Sequence, residues 1–404
     1  MNFEFKKKVL KNGLTILFEE RNLPVVSVGI AVRAGGVNEE LSEKGISHFI
    51  EHMLYKGTPS RSSKKIAMEI EKNGGELNGF TSEDVTAYWC KMPSNHLNVA
   101  LEVLSDIVQN PLFDEKELEK ERQVIFEEIK MRKDNPIIYS LDKLQSLLYA
   151  GTLGKSIAGD FKTMSSIKRK NLLEKFTQLY QPNNMILCVV GKADFKEIVE
   201  FAEKKFSNKK GKVPKIKSSN INKSSVEKRK GIDQANLVFA FHSPLSSNKK
   251  SYASKVLITL LAEGMSSRLF EEIREKRNLA YSIKGGAEVN RDFSYCFIYV
   301  GTSKENILEV KKLILQEFEK VSAALTKEEL EEVKVQMIGN YYISQEDTQS
   351  QMVNLIISEV EGDAQSFYDF EKNIQAVKLG DVQDLARQAL KSHSFFCLLP
   401  SDSK

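Results

Sequence analysis

Gly45-Ile46-Ser47-His48-Phe49-Ile50-Glu51-His52-Met53-Leu54 is the stretch around which the 404-residue chain is organised. Taken as a helix, it sets Ile46, Phe49, Ile50, Met53 and Leu54 at i, i+3, i+4, i+7 and i+8, an apolar stripe that must face a core. His48 and His52 stand one turn apart on another face, with Glu51 on their flank. The pattern HxxEH is an inverted form of the zinc-protease helix. Two imidazoles at that spacing can hold one tetrahedral zinc, and the neighbouring carboxylate can accept a proton from water activated there. The chain has five histidines, and two of them fall within these few residues. A pattern this short also fits a solvated helix face that carries two histidines, so the rest of the chain has to decide.

Upstream of this stretch, Asn12-Gly13 reads as a hairpin turn entering a strand over residues 14–18, with 25–32 as its neighbour. Beyond the HxxEH helix, a second helix over 62–73 is stopped by Gly74-Gly75. Residues 76–92 then return to strand, Val85, Ala87 and Trp89 alternating with their neighbours. Helices are predicted over 94–109, 115–132 and 139–148. A loop carrying Gly151, Gly154 and Gly159 comes next, then another helix up to Tyr180 and a buried strand over 185–190.

Residues 207–230 hold nine Lys or Arg against one Glu and little to bury, which predicts a solvated basic linker. After it the order of elements recurs. A strand over 236–241 is followed by helices over 252–261 and 266–276, strands over 281–289 and 293–301, and helices over 304–325 and 327–342. Leu112-Phe113-Asp114-Glu115-Lys116-Glu117-Leu118 has a counterpart at Ala324-Leu325-Thr326-Lys327-Glu328-Glu329-Leu330, which indicates an internal duplication. The expected fold is α+β, with two homologous domains at 1–206 and 231–404, each a mostly antiparallel sheet with helices packed on it. The second half has no HxxEH, and its His242 and His393 read as structural or surface residues.

The length suits two cores rather than one. A formal net charge of +4 is small for this length, and with no densely basic helix face it excludes nucleic acid as the implied partner. No apolar run approaches the ~18 residues of a membrane span, and Met1-Asn2-Phe3-Glu4-Phe5-Lys6-Lys7-Lys8 lacks the apolar core of a signal peptide. Cys90, Cys188, Cys296 and Cys397 sit singly in apolar runs, as reduced core residues of a cytoplasmic protein would.

A catalytic zinc needs three protein ligands and an open position. His96, at the polar start of a helix, is one candidate for the third. The helix over 115–132 offers others. Its Glu119, Gln123 and Glu127 lie on the polar side, whereas Glu121 and Glu128, seven apart, fall within the apolar arc beside Val124 and Ile125. Carboxylates on a core-facing arc call for a cation. Spacing leaves two sources of it open, a metal ion or ion pairs with Arg122 and Arg132.

The set His48-Phe49-Ile50-Glu51-His52, Arg61-Ser62, Leu77-Asn78-Gly79-Phe80-Thr81-Ser82 and Glu119-Lys120-Glu121-Arg122 with Val124-Ile125-Phe126-Glu127-Glu128 resembles the insulinase/pitrilysin family of zinc peptidases. It is most similar to the branch of the mitochondrial processing peptidase β subunit and its bacterial relatives. The likeness continues through Leu153-Gly154, Ile157, Gly159, Tyr180, Pro182, Asn184-Met185, Ser266-Ser267-Arg268-Leu269-Phe270, Ile273-Arg274-Glu275 and Leu279-Ala280-Tyr281, nearly the whole chain. It implies a metalloendopeptidase with one Zn2+ per chain held by His48, His52 and Glu128. Glu51 would be the base and Glu121 the acid that supports a ligand. Asn78 would contact the substrate backbone, with Arg274 and Tyr281 holding the bound peptide. An extended peptide would add to the edge of the strand over 79–92.

Departures are local. Ala262-Glu263-Gly264-Met265 stands where relatives often have more glycine, and Asn278 replaces a usual glycine. The family builds its chamber from four such domains, so a two-domain chain carrying both residue sets implies a homodimer. Two further readings stand beside catalysis. One is a non-catalytic family member serving as a subunit or scaffold, which would be expected to have lost zinc ligands. The other is a scaffold with a structural zinc, which would be expected to show a fourth ligand.

Overall fold

Seven of the eight residues of Val25–Val32 are buried, as a strand with neighbours on both sides and layers on both faces requires. The computed structural model of the chain, which describes residues 4–214, 216 and 218–401, makes this segment central. In chain order the strands are β1 (Phe5–Val9), β2 (Thr15–Glu20), β3 (Val25–Val32), β4 (Glu76–Thr81), β5 (Thr86–Pro93), β6 (Tyr149–Gly151) and β7 (Met185–Gly191). The later ones are β8 (Ser218–Asn220), β9 (Ser225–Arg229), β10 (Ala235–His242), β11 (Ala280–Val289), β12 (Ser294–Thr302) and β13 (Ser394–Pro400).

The first sheet runs β1-β2-β7-β3-β5-β4, antiparallel throughout except where β2 meets β7. The hairpin at Asn12-Gly13 therefore joins β1 to β2, and the expected pairing of β2 with β3 does not occur. β7 lies between them, because its seven buried residues need a partner on each side. The second sheet runs β11-β12-β10-β13-β9, again with one parallel pair, β13 with β9. Matching β4, β5, β3, β7 and β2 to β11, β12, β10, β13 and β9 reproduces both the order and the place of the parallel pair. The α+β fold and its duplication are thus present as expected from the sequence.

The division into consecutive halves needs correction. One packed unit comprises Met1–Lys130, Lys155–Lys217 and Ser344–Phe367, and the other Met131–Gly154, Ser218–Ile343 and Tyr368–Lys404. The helix Thr348–Glu361 packs on β3 and β7 of the first unit, at a point where Gly29 has no Cβ to meet Met352. Reciprocally, the helix Pro136–Leu148 packs on β10 and β13 of the second. Nor is 207–230 a plain linker. It contributes β8, paired with β6, and β9, an edge strand whose alternating half-exposure accounts for its polar composition. Lys215 and Lys217 lie outside the described residues. Among the described residues no helix is long and apolar enough to cross a membrane.

Three helices pack on the first sheet between β3 and its β4 edge: α1 (Ile46–Leu54), α2 (Ser63–Glu71) and α3 (Leu97–Gln109). The turn between α1 and α2 is tied to α3 through Asp106. Its Oδ2 accepts from Thr58 Oγ1, Ser60 Oγ and Arg61 Nη1 at 2.7 Å each, and its Oδ1 from Asn110 at 3.0 Å. Burial alone would raise this carboxyl, but Asn110, Ser60, Thr58 and Arg61 together bring it down to about 2. A lowered folded-state value stabilises above the unfolded pKa of ~3.9 and is lost as pH falls through the folded one. Asp106→Asn is expected to cost about 1–2 kcal/mol at pH 7. Urea unfolding of the two proteins should show that difference shrinking between about pH 4 and pH 2.

Candidate metal centre

Helix α1 begins at Gly45, whose φ of 96° suits glycine, and where a Cβ would stand 2.5 Å from Met164 Cε. Its first turn is capped by a carboxylate: Glu39 accepts from the Gly45 N–H at 2.9 Å and the Ser47 N–H at 2.7 Å. Lys44, 3.5 Å from Glu39 and 3.7 Å from Glu83, supplies a buried counter-charge. Burial dominates and holds the Glu39 carboxyl above its usual value, against the pull of Lys44 and the two N–H groups. Ile46, Phe49, Ile50, Met53 and Leu54 are all buried, so the stripe turns inward as its spacing predicts, and the imidazoles are left half-buried. The anchored helix thus fixes where His48, Glu51 and His52 project.

Facing it is α4 (Glu115–Asp134), whose first N–H groups are capped by Asp114. Glu128 Oε2 stands 3.6 Å from His48 Nε2 and 3.5 Å from His52 Nε2, and the three ligand atoms lie within 4.8 Å of one another. Tetrahedral zinc with bonds of ~2.0–2.1 Å separates its donors by roughly 3.4 Å, so two imidazoles and one carboxylate fit the ion. The carboxylate of Glu121 approaches His52 Nδ1 at 3.1 Å. A carboxylate only accepts, so that nitrogen carries the proton and Nε2 keeps its lone pair for a metal. Burial alone would lower the His52 imidazole, yet Glu128, Glu121 and Glu51 together hold it above its ordinary value. An imidazole must be neutral to bind a metal, so metal binding here weakens as pH falls.

The two acids of α4 differ more than their shared arc suggests. Glu121 is buried and ion-paired, but with Lys56 Nζ at 2.6 Å rather than with an arginine. Glu128 is partly open, its side chain 32% exposed, as an accessible metal ligand must be. Arg122 reaches Glu119 and the carbonyl oxygen of Ile167, and Arg132 reaches Asp142 at 2.6 Å. His96 is outside the cluster, beside Asn95 at 3.4 Å. His242 bonds the Ile221 carbonyl oxygen at 3.0 Å and His393 that of Ala389 at 2.7 Å, both structural as expected.

Glu51 completes the group. Its Oε2 accepts from Thr81 Oγ1 at 3.1 Å. Burial raises its carboxyl above the usual range and Glu128 adds to this, while His52 and Thr81 act the other way. A base moved toward neutral pH accepts a proton more readily. Alternation on β4 directs Leu77, Gly79 and Thr81 toward α1. A Cβ at position 79 would collide with the Tyr55 hydroxyl, stand 2.8 Å from the Ala87 carbonyl oxygen and crowd Glu51 Oε1 at 3.3 Å. Gly79→Ala is accordingly expected to cost about 1–3 kcal/mol of stability and to displace Glu51. Urea unfolding measures the first effect, and a crystal structure of the variant the second.

Residues 15–160 match the family described as Insulinase (Peptidase family M16), and residues 166–337 match the Peptidase M16 inactive domain. An "uncharacterized zinc protease" of Rickettsia felis is 34% identical over 351 residues, covering 85% of this chain and 84% of its own. The chain belongs to the M16 peptidase family. A Bacillus subtilis member, also described as an uncharacterized zinc protease, is 32% identical over 95% of both chains. A Helicobacter pylori protease of known structure superposes with a TM-score of 0.89 over 98% of this chain and 100% of its own, at 23% identity, and so shares the fold.

Within the M16 fold the other expected site residues fall in two places. Asn78 is exposed on β4, the edge of the first sheet, and its Oδ1 accepts from the Gly79 N–H at 2.8 Å. Of β4 and β5 only β4, Glu76–Thr81, lies at an edge, because β5 is paired on both sides; the expected edge over 79–92 is corrected to that extent. Arg274 and Tyr281 come together in the second unit, with Arg274 Nη1 3.4 Å from the Tyr281 carbonyl oxygen and stacked on Phe270 at 4.8 Å. The phenol of Tyr281 is exposed. The predicted helix over 266–276 is π-helical from Phe270 to Glu275, an irregularity common where function fixes a side chain. Asn278 takes φ 54°, so this departure from the usual glycine retains the left-handed turn that Asn tolerates.

Three supporting residues have no local sequence signal. Glu39 caps α1 from six residues upstream, outside the spacing of a capping box. Lys56 and Thr81 meet the site only through the packing of α1 against α4 and β4.

Proposed function

We propose that the chain is a zinc-dependent metalloendopeptidase that hydrolyses unfolded or extended peptides. The observation that carries this reading is the convergence of His48 Nε2, His52 Nε2 and Glu128 Oε2 beside the half-buried carboxylate of Glu51. The relatives' description as zinc proteases supports it. When bound, zinc supplies a Lewis acid that polarises a scissile carbonyl and acidifies a water. His48, His52 and Glu128 would hold the ion, with Glu121 and Lys56 fixing the His52 tautomer. Glu51 would take the proton of the attacking water and deliver it to the departing amine.

The open edge of β4 suits an extended peptide. Strand addition there uses backbone bonds, so affinity is tolerant of sequence and demands an unfolded substrate. Asn78 would contact that backbone, and Arg274 and Tyr281 would offer a cation and a phenol to the substrate's carbonyls. One zinc per chain and a homodimer of cytoplasmic chains complete the proposal. Light scattering should give twice the 45.8 kDa of a single chain.

The test is incubation of the purified chain with a varied set of quenched, unstructured peptides, followed by mass spectrometry of the products. Internal cuts, abolished by a zinc chelator and absent when the same sequence is embedded in a folded protein, are expected. No cut in any peptide favours a non-catalytic subunit or scaffold.

A further inference from the structure

Glu51 has two oxygens, and they have different surroundings. Oε2 accepts the Thr81 hydroxyl, while Oε1 lies over Gly79, where a missing Cβ leaves room for it. Thr81 is the last residue of β4 and pairs with Thr86 of β5, so its backbone is held by the sheet. We propose that Thr81 is a positioning residue for Glu51, its hydroxyl holding Oε2 so that Oε1 is the atom that exchanges protons with the substrate. This rests on the peptidase reading.

A carboxylate on a long side chain rotates readily, and a bond to one oxygen from a fixed strand removes that freedom before substrate arrives. The proton path then involves a single atom. A water O–H bond breaks, its proton moves to Oε1, and its oxygen bonds the carbonyl carbon as the C=O π pair moves onto the carbonyl oxygen. That pair re-forms the double bond as the C–N bond breaks, and the same proton passes from Oε1 to the amine nitrogen. Thr81 keeps its own proton throughout, hydrogen-bonded to Oε2, and touches no reacting atom.

The test compares wild type with Thr81→Val, which keeps the shape and loses the donor, and Thr81→Ser, which keeps the donor. Thr81→Val should lower kcat by about 10- to 100-fold, the scale of a misplaced catalytic group. KM and zinc content should stay unchanged, and Thr81→Ser should recover most of the rate. An unaltered kcat in Thr81→Val, or an equal loss in Thr81→Ser, overturns the assignment. Crystal structures of zinc-loaded wild type and Thr81→Val decide the same point without turnover. A rotated Glu51 carboxylate in the variant supports the role, and an unmoved one refutes it. Failure of wild type to cut any peptide would instead count against the peptidase reading.

Discussion

Glu51→Gln should abolish peptide hydrolysis while the protein still binds one zinc per chain. Glutamine matches glutamate in shape and its carbonyl oxygen can still accept from Thr81, but its amide cannot take a proton from water. General base catalysis supplies about 10²–10⁴-fold, so the expected loss in kcat is at least about 10²-fold. Because Glu51 is not among the three converging ligand atoms, zinc content should not change. Quenched-peptide kinetics and metal analysis on the same sample provide the check. A variant with a tenth of the wild-type rate would remove Glu51 from the role of base.

Glu128→Gln should have the opposite signature, losing the metal first and activity as a consequence. It removes the one anionic donor of the set, leaving two imidazoles and a weak amide oxygen. A ligand's partner such as Glu121 is worth about 10–100-fold in metal affinity, so loss of a ligand should exceed that, at about 10³-fold or more. Competition against a chelator of known affinity measures it. Zinc binding within threefold of wild type would show that Glu128 is not a ligand.

The residues that carry these predictions differ in how visible they are in the sequence. His48, Glu51 and His52 are legible because one helical turn fixes their relation, and the apolar stripe between them dictates which way the helix faces. Glu121 and Glu128 are legible as a pair by their seven-residue spacing, but their partners are not. Lys56 lies 65 positions from Glu121 and Thr81 lies 30 from Glu51, distances that only folding closes. The fold shows the same division. The repeat of sheet and helices is present as read, because alternation and spacing are local. The insertion of β7 between β2 and β3, and the exchange of Pro136–Leu148 for Thr348–Glu361 between the units, depend on which buried faces meet, which no local pattern encodes. β9 reads as linker because an edge strand needs few apolar residues.

The most direct measurement is the rate of peptide hydrolysis as zinc is titrated into metal-free protein. A zinc peptidase with this site should gain activity in proportion to bound metal and level off at one ion per chain, with Glu51→Gln taking up the same zinc and remaining inactive. Hydrolysis that persists without zinc, or full zinc uptake with no hydrolysis of any peptide, would contradict it.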